Sequence, residues 1–394
     1  MTTSVEFDYA IVGGGLQGCL VAHALAWHRP EATVLLVERG TAPCGNHTWS
    51  FHETDVAAPA RGWFDPLIAH RWPGYRVRFP GLSRRVGIPY ATMTSDRLRA
   101  ATVALASGGG VRPTGLVIRC GEPCEIVSAT TVRLGTGADV SCRVILDCRG
   151  RAALPGGGAS GYQSFVGHEF ETGGRWPASE PTVMDVPEDQ AEGFEFLYEL
   201  PLGPDRVLLE YTRFHEKPGC DDARASTLFA ARLAEAGVAA ARPIRTERGC
   251  LPMPYARETR TGGTSPAGGY AGGWYHAATG YSMPLAVRFA EIVARAHPDR
   301  VAAEVAAAAA SDRLRRGFAR FLNRLLFCLV RAEDRWRIFQ RFYGVLPEDR
   351  IARFYAHRFT CTDAVRIVLG RPPLGMLPLR FARSFVSTPG PVPT

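Results

Sequence analysis

Asp8-Tyr-Ala-Ile-Val-Gly13-Gly14-Gly15-Leu-Gln-Gly18 carries an apolar strand into a glycine turn, and Cys19 to Trp27 continues as a helix. Each glycine of this G-x-G-x-x-G spacing has its own geometric job. Gly13 permits the tight turn, Gly15 lets the backbone approach a pyrophosphate, and Gly18 lets helix and strand pack closely. The helix N-terminus turns a positive dipole end toward the phosphates. The next apolar run, Thr33-Val-Leu-Leu-Val37, reads as a second parallel strand and ends on Glu38, 20 residues past Gly18, where a ribose hydroxyl needs an acceptor. A lone glycine pattern is a weak signal. The preceding strand, the following helix and the acid at this distance favour a dinucleotide site over a structural glycine turn. Glu38 followed by Arg39-Gly40 suits the adenosine half of FAD better than a free NAD pocket.

With 394 residues and 46% hydrophobic content the chain can bury a large core spread over two or three domains. No stretch offers about 18 consecutive apolar residues, and the N-terminus lacks the basic and apolar regions of a signal peptide. A cytoplasmic protein that spans no membrane is expected. The ten cysteines form no C-x-x-C pair and no His cluster accompanies them, so reduced thiols are expected and no metal site. Charge is distributed unevenly. Residues 311–394 hold 16 Arg and no Lys against 6 acids, a net +10, so residues 1–310 carry about −2 of the total +8. Between Arg315 and Phe327 arginines alternate with large apolar groups at helical spacing. Such a helix either lies on an anionic bilayer, which would make the protein peripheral on the inner face of the cell membrane, or packs on the body with a solvated basic face. No nucleic-acid module accompanies the basic residues, and no nucleic-acid partner is expected.

Along the chain, residues 1–50 read β-α-β, Arg76–Phe79 and Arg84–Ile88 read as short alternating strands, and Thr94 to Gly108 as a helix with a Ser/Asp cap. Arg143-Val-Ile-Leu146 is a further strand ending at Asp147-Cys-Arg-Gly150, and Pro155–Gly158 marks a boundary. Strand-like segments at 165–170, 182–185, 194–198 and 206–212 predict an antiparallel substrate-binding sheet, followed by a helix from Thr227 to Ala236. A glycine-rich approach from Gly262-Gly263 leads to Thr279-Gly280-Tyr281-Ser282, a turn suited to phosphate or to a flavin edge, or an ordinary helix start. Residues 301–360 read as helices, and the Pro-rich end from Thr388 as frayed. The expected class is α/β: a Rossmann-like FAD-binding domain over 1–160 and 261–310, an antiparallel β-sheet substrate domain over 161–260, and a helical C-terminal region over 311–394.

Nearly end to end, the chain resembles the bacterial type of lycopene β-cyclase, the FAD-dependent cyclases of carotenoid biosynthesis. The resemblance rests on the dinucleotide turn, Gly45-Asn-His-Thr-Trp-Ser-Phe-His52, Arg76-Val-Arg-Phe-Pro80, Asp147-Cys-Arg-Gly150, Tyr198-Glu-Leu-Pro-Leu202, Leu209-Glu210-Tyr-Thr212, Thr279-Gly-Tyr-Ser282, Arg353-Phe-Tyr-Ala356 and Arg371-Pro-Pro373. Tyr211 stands where the family places a second acid, and Ala277-Ala278 interrupts its His-Pro-Thr-Thr-Gly. The resemblance implies lycopene or a related acyclic carotenoid as substrate, reduced FAD as cofactor with NAD(P)H as reductant, a membrane surface, and neighbouring carotenoid enzymes as possible partners. It makes Glu210 the candidate catalytic acid, with the reduced flavin as the alternative proton donor, and it draws Gly13, Gly15, Gly18, Glu38, Asp147, Gly150, Gly280, Tyr281 and Ser282 to the FAD, to which a resemblance to flavoprotein hydroxylases adds Arg97.

A β-cyclase protonates C1=C2 of an acyclic ψ end group, lets C5=C6 attack the cation and removes a proton from C6, without net redox change. An acid at the end of Val207-Leu208-Leu209 is placed for this if desolvation keeps it protonated; the bland alternative is a surface glutamate bonded to Arg213 or Thr212. Trp49, Phe51, Phe194, Phe196, Tyr198 and Tyr211 can line a cation-stabilising pocket or simply pack. His47, His52 and His276 touch flavin or substrate, or serve as structural hydrogen-bonders. Two competing readings are a flavin-dependent reductase or hydroxylase of a polyisoprenoid, and a membrane-associated carotenoid carrier, which would need no pyrophosphate cradle.

Overall fold

The computed structural model describes residues 7–108, 115–150, 160–173, 176–190, 193–238, 241–256 and 265–370. The boundary at Pro155–Gly158, the glycines at 262–263, Arg371-Pro-Pro373 and the Pro-rich end lie outside the described residues.

Strands with apolar runs on both faces bury themselves between layers. Phe7–Val12 pairs in parallel with Thr33–Glu38 on one side and with Asp139–Asp147 on the other, and Gly115–Cys120 extends the parallel set. Two short antiparallel strands, Thr131–Leu134 and Cys124–Ile126, complete six. The helix Leu16–His28 lies on this sheet with Met283–Arg295 against it, tied by a bond of 3.1 Å from Gln17 Nε2 to the Ala286 carbonyl. Helix Ser95–Ala106 is capped by Thr94, whose hydroxyl accepts from the Arg97 amide.

The second sheet has seven strands in the order 242–254, 160–171, 206–215, 194–201, 182–185, 75–79, 82–86. Its first five are antiparallel, as expected from the alternation of 163–212. The last two come from the N-terminal half: Tyr75–Phe79 joins Thr182–Asp185 in parallel, so the substrate sheet draws on chain from before residue 160 as well as after it. Tyr75, Val77 and Phe79 alternate inward, which makes this edge part of the same core as Phe196 and Leu208. A small sheet of Thr48–His52, Tyr90–Thr94 and His70–Trp72 joins the two large ones. Helix Asp222–Glu235 covers the outer face of the substrate sheet; it starts a turn before Thr227 because Asp221 caps the Arg224 amide.

The C-terminal region is helical, with helices Val301–Ser311, Arg313–Arg324, Trp336–Val345, Glu348–Tyr355 and Cys361–Val368. Many of its arginines hold the fold together. Arg335 is fully buried and donates to the Leu326 carbonyl and to Glu216, Arg353 pairs with Asp363 at 2.8 Å, and Arg315 reaches the Phe359 carbonyl and Asp312. For these positions the packed-helix alternative holds. No helix of the described residues is long and apolar enough to cross a membrane.

Candidate active site

One cavity of about 1170 Å³ runs from the glycine turn to the inner face of the substrate sheet. At its first end the three glycines have distinct surroundings. Gly13 has φ +107°, and a Cβ there would stand 2.5 Å from the Cys148 carbonyl oxygen. A Cβ on Gly18 would stand 2.0 Å from the Gly13 oxygen, so both positions are fixed by packing. Nothing lies within 4 Å of a Cβ on Gly15, which faces the open cavity at the uncapped N-terminus of helix 16–28. That open cradle fits a pyrophosphate. Beside it Glu38 accepts from the Gly14 and Gly40 amides, each at 2.7 Å, which orients its carboxylate on the cavity wall.

Asp147, paired with Arg149 at 2.7 Å, and Gly150 in the left-handed region line the same stretch. Gly280 (φ +68°), Tyr281 and Ser282 line the middle, before helix 283–295. The Tyr281 hydroxyl donates to Asp55 and accepts from the His52 amide. Arg97 stands apart: its guanidinium donates to the Pro66 carbonyl at 2.6 and 3.0 Å and it does not line the cavity. The residues of this end therefore fit an FAD-type dinucleotide without help from Arg97.

At the other end, strand 206–215 splits by alternation. Leu208, Glu210 and Phe214 face the cavity. Val207, Leu209 and Tyr211 face away, in a cluster with Phe229 of the covering helix. Tyr211 donates to Glu195 Oε2 at 2.7 Å on that outer side, so its phenol does not stand in for a second acid in the cavity. Glu210 opens on the cavity and accepts one bond, from Thr212 Oγ1 at 3.0 Å. Burial, with the carboxylate of Glu247 as a further cause, pushes its carboxyl up to about 8, Thr212 and Arg245 opposing. Desolvation thus favours its protonated form. Glu247 also lines the cavity, with Arg245 Nη1 at 2.8 Å.

Aromatic residues form much of the remaining wall. Tyr198 lies directly across from Glu210, with its hydroxyl 2.7 Å from that of Tyr90, and Phe196, Phe339 and Tyr355 line the same space. Trp49 lines it too. Phe194 sits behind, stacked at 4.5 Å on Phe339, and Phe51 packs on Phe64 in the nucleotide core. His47 and His52 are on the wall, whereas His276 is fully buried against Phe354. Burial drives the His52 imidazole down to about 3, so it is neutral, and its Nε2 sits 3.0 Å from the Tyr75 hydroxyl. Asp55 is pushed up to about 7 by burial, against the lowering bond from Tyr281.

Glu247, Asp55, Tyr75, Tyr90 and Tyr355 escaped the sequence reading. Glu247 and Asp55 sit in no periodic pattern, and only the pairing of distant strands brings Glu247 to Glu210. Motif Asn46–His52 lies three residues from Asp55 and was the one available pointer to it.

A profile of the lycopene cyclase protein family matches residues 8–381. The lycopene beta-cyclase of Pseudescherichia vulneris is 37% identical over 374 residues, covering 93% of this chain and 94% of that protein. The lycopene beta-cyclase of Pantoea ananas is 35% identical over 383 residues, covering 94% and 96%. In fold, the chain is similar to PqsL, a probable FAD-dependent monooxygenase from Pseudomonas aeruginosa, with a TM-score of 0.61 at 18% identity over 86% of this chain and 99% of that one. It is also similar to a geranylgeranyl bacteriochlorophyll reductase-like protein from Thermoplasma acidophilum, with a TM-score of 0.57 at 11% identity over 92% and 95%.

Proposed function

The chain belongs to the lycopene cyclase family, and we propose that it acts as a lycopene β-cyclase, closing the ψ end groups of lycopene or a related acyclic carotenoid into β-rings. The observation that carries this reading is the likeness to curated cyclases along nearly the whole chain. The chemistry of the cavity agrees with it.

In the proposed reaction the Glu210 carboxylic acid gives its proton to C2 of the C1=C2 bond, leaving a cation at C1. The C5=C6 electrons then form the C1–C6 bond, the cation moves to C5, and loss of a proton from C6 restores a double bond. One proton enters and one leaves, so the step is an isomerisation. Glu210 suits the first step because desolvation keeps it protonated beside an apolar wall. Phe196, Tyr198, Phe339 and Tyr355 line the cavity beside Glu210 and offer ring faces to the cation. Gly13, Gly15, Gly18, Glu38, Asp147, Gly150, Gly280, Tyr281 and Ser282 are proposed to hold FAD, with Arg97 assigned to bracing Pro66 instead. When bound and kept reduced by NAD(P)H, FAD would bring an electron-rich ring to the cation.

A polyene is soluble only in a bilayer, and the reading extends to a membrane surface. A second, apolar hollow of about 180 Å³ lies among Leu322, Leu325, Ile338, Phe342 and Ile367, and shares Phe339 and Tyr355 with the main cavity. Leu314, Val365, Val368 and Leu369 are exposed on the surrounding helices. The hollow's shared wall with the main cavity and these exposed apolar residues support peripheral docking there.

The test is expression in lycopene-accumulating cells with analysis of the carotenoids formed. β-Ringed product without stoichiometric NAD(P)H consumption is expected. Consumption of one NAD(P)H per product would move the reading to a flavin reductase or hydroxylase.

A further inference from the structure

Glu210, Gly167 and Glu247 sit side by side on three adjacent strands: Gly167 pairs directly with Glu210 on one side and with Glu247 on the other. Residues paired in this way share a sheet face, and the two outer ones are about 10 Å apart at Cα. Any side chain on the middle strand would separate them. Gly167 has none, and a Cβ built there would stand 3.1 Å from Glu247 Cγ and 3.3 Å from Leu208 Cδ1. Glu247 therefore leans over the gap toward Glu210, and both line the same cavity.

The charges around this row balance in only one way. Arg245 bridges Glu169 and Glu247, each at 2.8 Å, and Arg206 pairs with Glu169 as well. Two arginines thus match two carboxylates. Among the described residues no arginine pairs with Glu210, so as the third acid of a buried group it is the one that keeps its proton. The other groups facing it are Thr212 on its own strand, and Tyr198 and Tyr90, whose hydroxyls are held neutral by burial; the Cys220 thiol, also pushed up by burial, packs with the cluster on the outer face. Burial leaves Glu247 raised on balance, with Arg245 and Thr48 opposing, and it is the ion pair with Arg245 at 2.8 Å that favours its carboxylate form.

We propose that Glu247, held as a carboxylate by Arg245, is the positioning residue that keeps the proton on Glu210, acting across the side-chain-free gap at Gly167. The inference rests on the reading of Glu210 as the acid but concerns its proton affinity rather than the reaction. A fixed negative charge next to an acid disfavours its ionisation, and removing that charge lets the acid ionise at lower pH.

The test is infrared difference spectroscopy of the purified full-length protein against pH, following the protonated carboxyl band that disappears in Glu210→Gln. In Glu247→Gln the midpoint of this band falls by about one pH unit or more, and the alkaline limb of kcat moves with it while KM stays near its value. Glu247→Asp keeps the charge and restores most of the shift. Gly167→Ala, which removes neither carboxylate, puts a methyl 3.1 Å from Glu247 Cγ and 3.4 Å from its Oε1 and lowers the midpoint in part. An unchanged midpoint in a folded Glu247→Gln overturns the proposal, whatever happens to activity. If the midpoint moves but Glu210→Gln still cyclises, the proposal stands and the catalytic reading of Glu210 is what fails.

Discussion

At the nucleotide end of the cavity the wall is made chiefly by short turns at the ends of parallel strands, and most of the groups that matter lie within a few residues of a glycine. At the substrate end the wall is chiefly a sheet face, and its key groups lie on strands that are far apart in sequence: pairing joins Tyr198, Glu210 and Glu247, and Tyr90 reaches the Tyr198 hydroxyl from the small sheet. The first end is specified by backbone geometry and tolerates few substitutions. The second is specified by alternation and burial, so a residue's role there depends on which face it occupies. The two ends therefore break differently.

The largest effects are expected in the glycine turn, and they divide fold from binding. Gly18→Ala forces a Cβ to within 2.0 Å of the Gly13 carbonyl oxygen, where backbone cannot give way, and should leave little soluble protein. At Gly15 an added Cβ has no neighbour within 4 Å, so Gly15→Val should fold normally and melt near the wild type, yet carry no flavin because the branched side chain fills the pyrophosphate position. Thermal melting and the flavin released on heating separate the two outcomes. A Gly15→Val protein that retains full flavin would move the cradle elsewhere.

Next in size is Glu210→Gln, which keeps shape and hydrogen bonding but removes the acidic proton. Cyclisation should fall by about 100-fold or more with flavin content intact. In the wild type the rate should hold through neutrality and decline as pH rises through about 8, where the acid ionises. Near wild-type turnover in Glu210→Gln would leave the proton to come from the cofactor side.

That difference between the ends also explains what was legible in the sequence. Gly13, Gly15, Gly18 and Glu38 could be read because their function follows from local spacing, and the α/β class followed from them. The alternation of Phe194, Phe196 and Tyr198 was visible too, and those three do share a face. Which face it was stayed hidden, since alternation fixes relative side and not direction. Tyr211 suffered from the same ambiguity, and strands 75–79 and 82–86 were seen as strands without their partners. Glu247 and Asp55 are isolated acids in sequence: Glu247 gains meaning only from the strand pairing that sets it beside Glu210, and Asp55 only from the burial that raises its proton affinity. Arg97 lies off the cavity wall for a different reason: a long side chain near a cofactor motif has several reachable acceptors, and here it donates to the Pro66 carbonyl.

A smaller effect separates stability from activity at the same residue. Glu210 has its carboxyl raised to about 8 in the folded chain, against an ordinary value of 4.5. Between these values the unfolded chain gives up a proton that the folded chain keeps, so this group's contribution to stability falls as pH rises from about 4.5 to about 8. Glu210→Gln lacks this penalty. It should be more stable than the wild type at pH 8, by on the order of 1 kcal/mol after discounting for solvent in the cavity, with the gap closing toward pH 4.5. Melting curves across that range check it, and a gap that widens on acidification would mean that Glu210 is ionised in the fold.

The smallest effect is expected at Tyr211, one residue along the same strand and on the opposite face. Its hydroxyl donates to Glu195 Oε2, and Arg224 also holds that carboxylate, so Tyr211→Phe leaves Glu195 with a charged partner and only one bond fewer. The ring stays packed among Val207, Leu209 and Phe229. Loss of one such bond should cost about 1 kcal/mol of stability. Cyclisation rate and its pH dependence should not change, because the sheet stands between the phenol and the cavity. A fall in turnover comparable to that of Glu210→Gln, in a variant of normal stability, would bring Tyr211 back to the reacting side and would undo the assignment of faces on which the substrate end has been read.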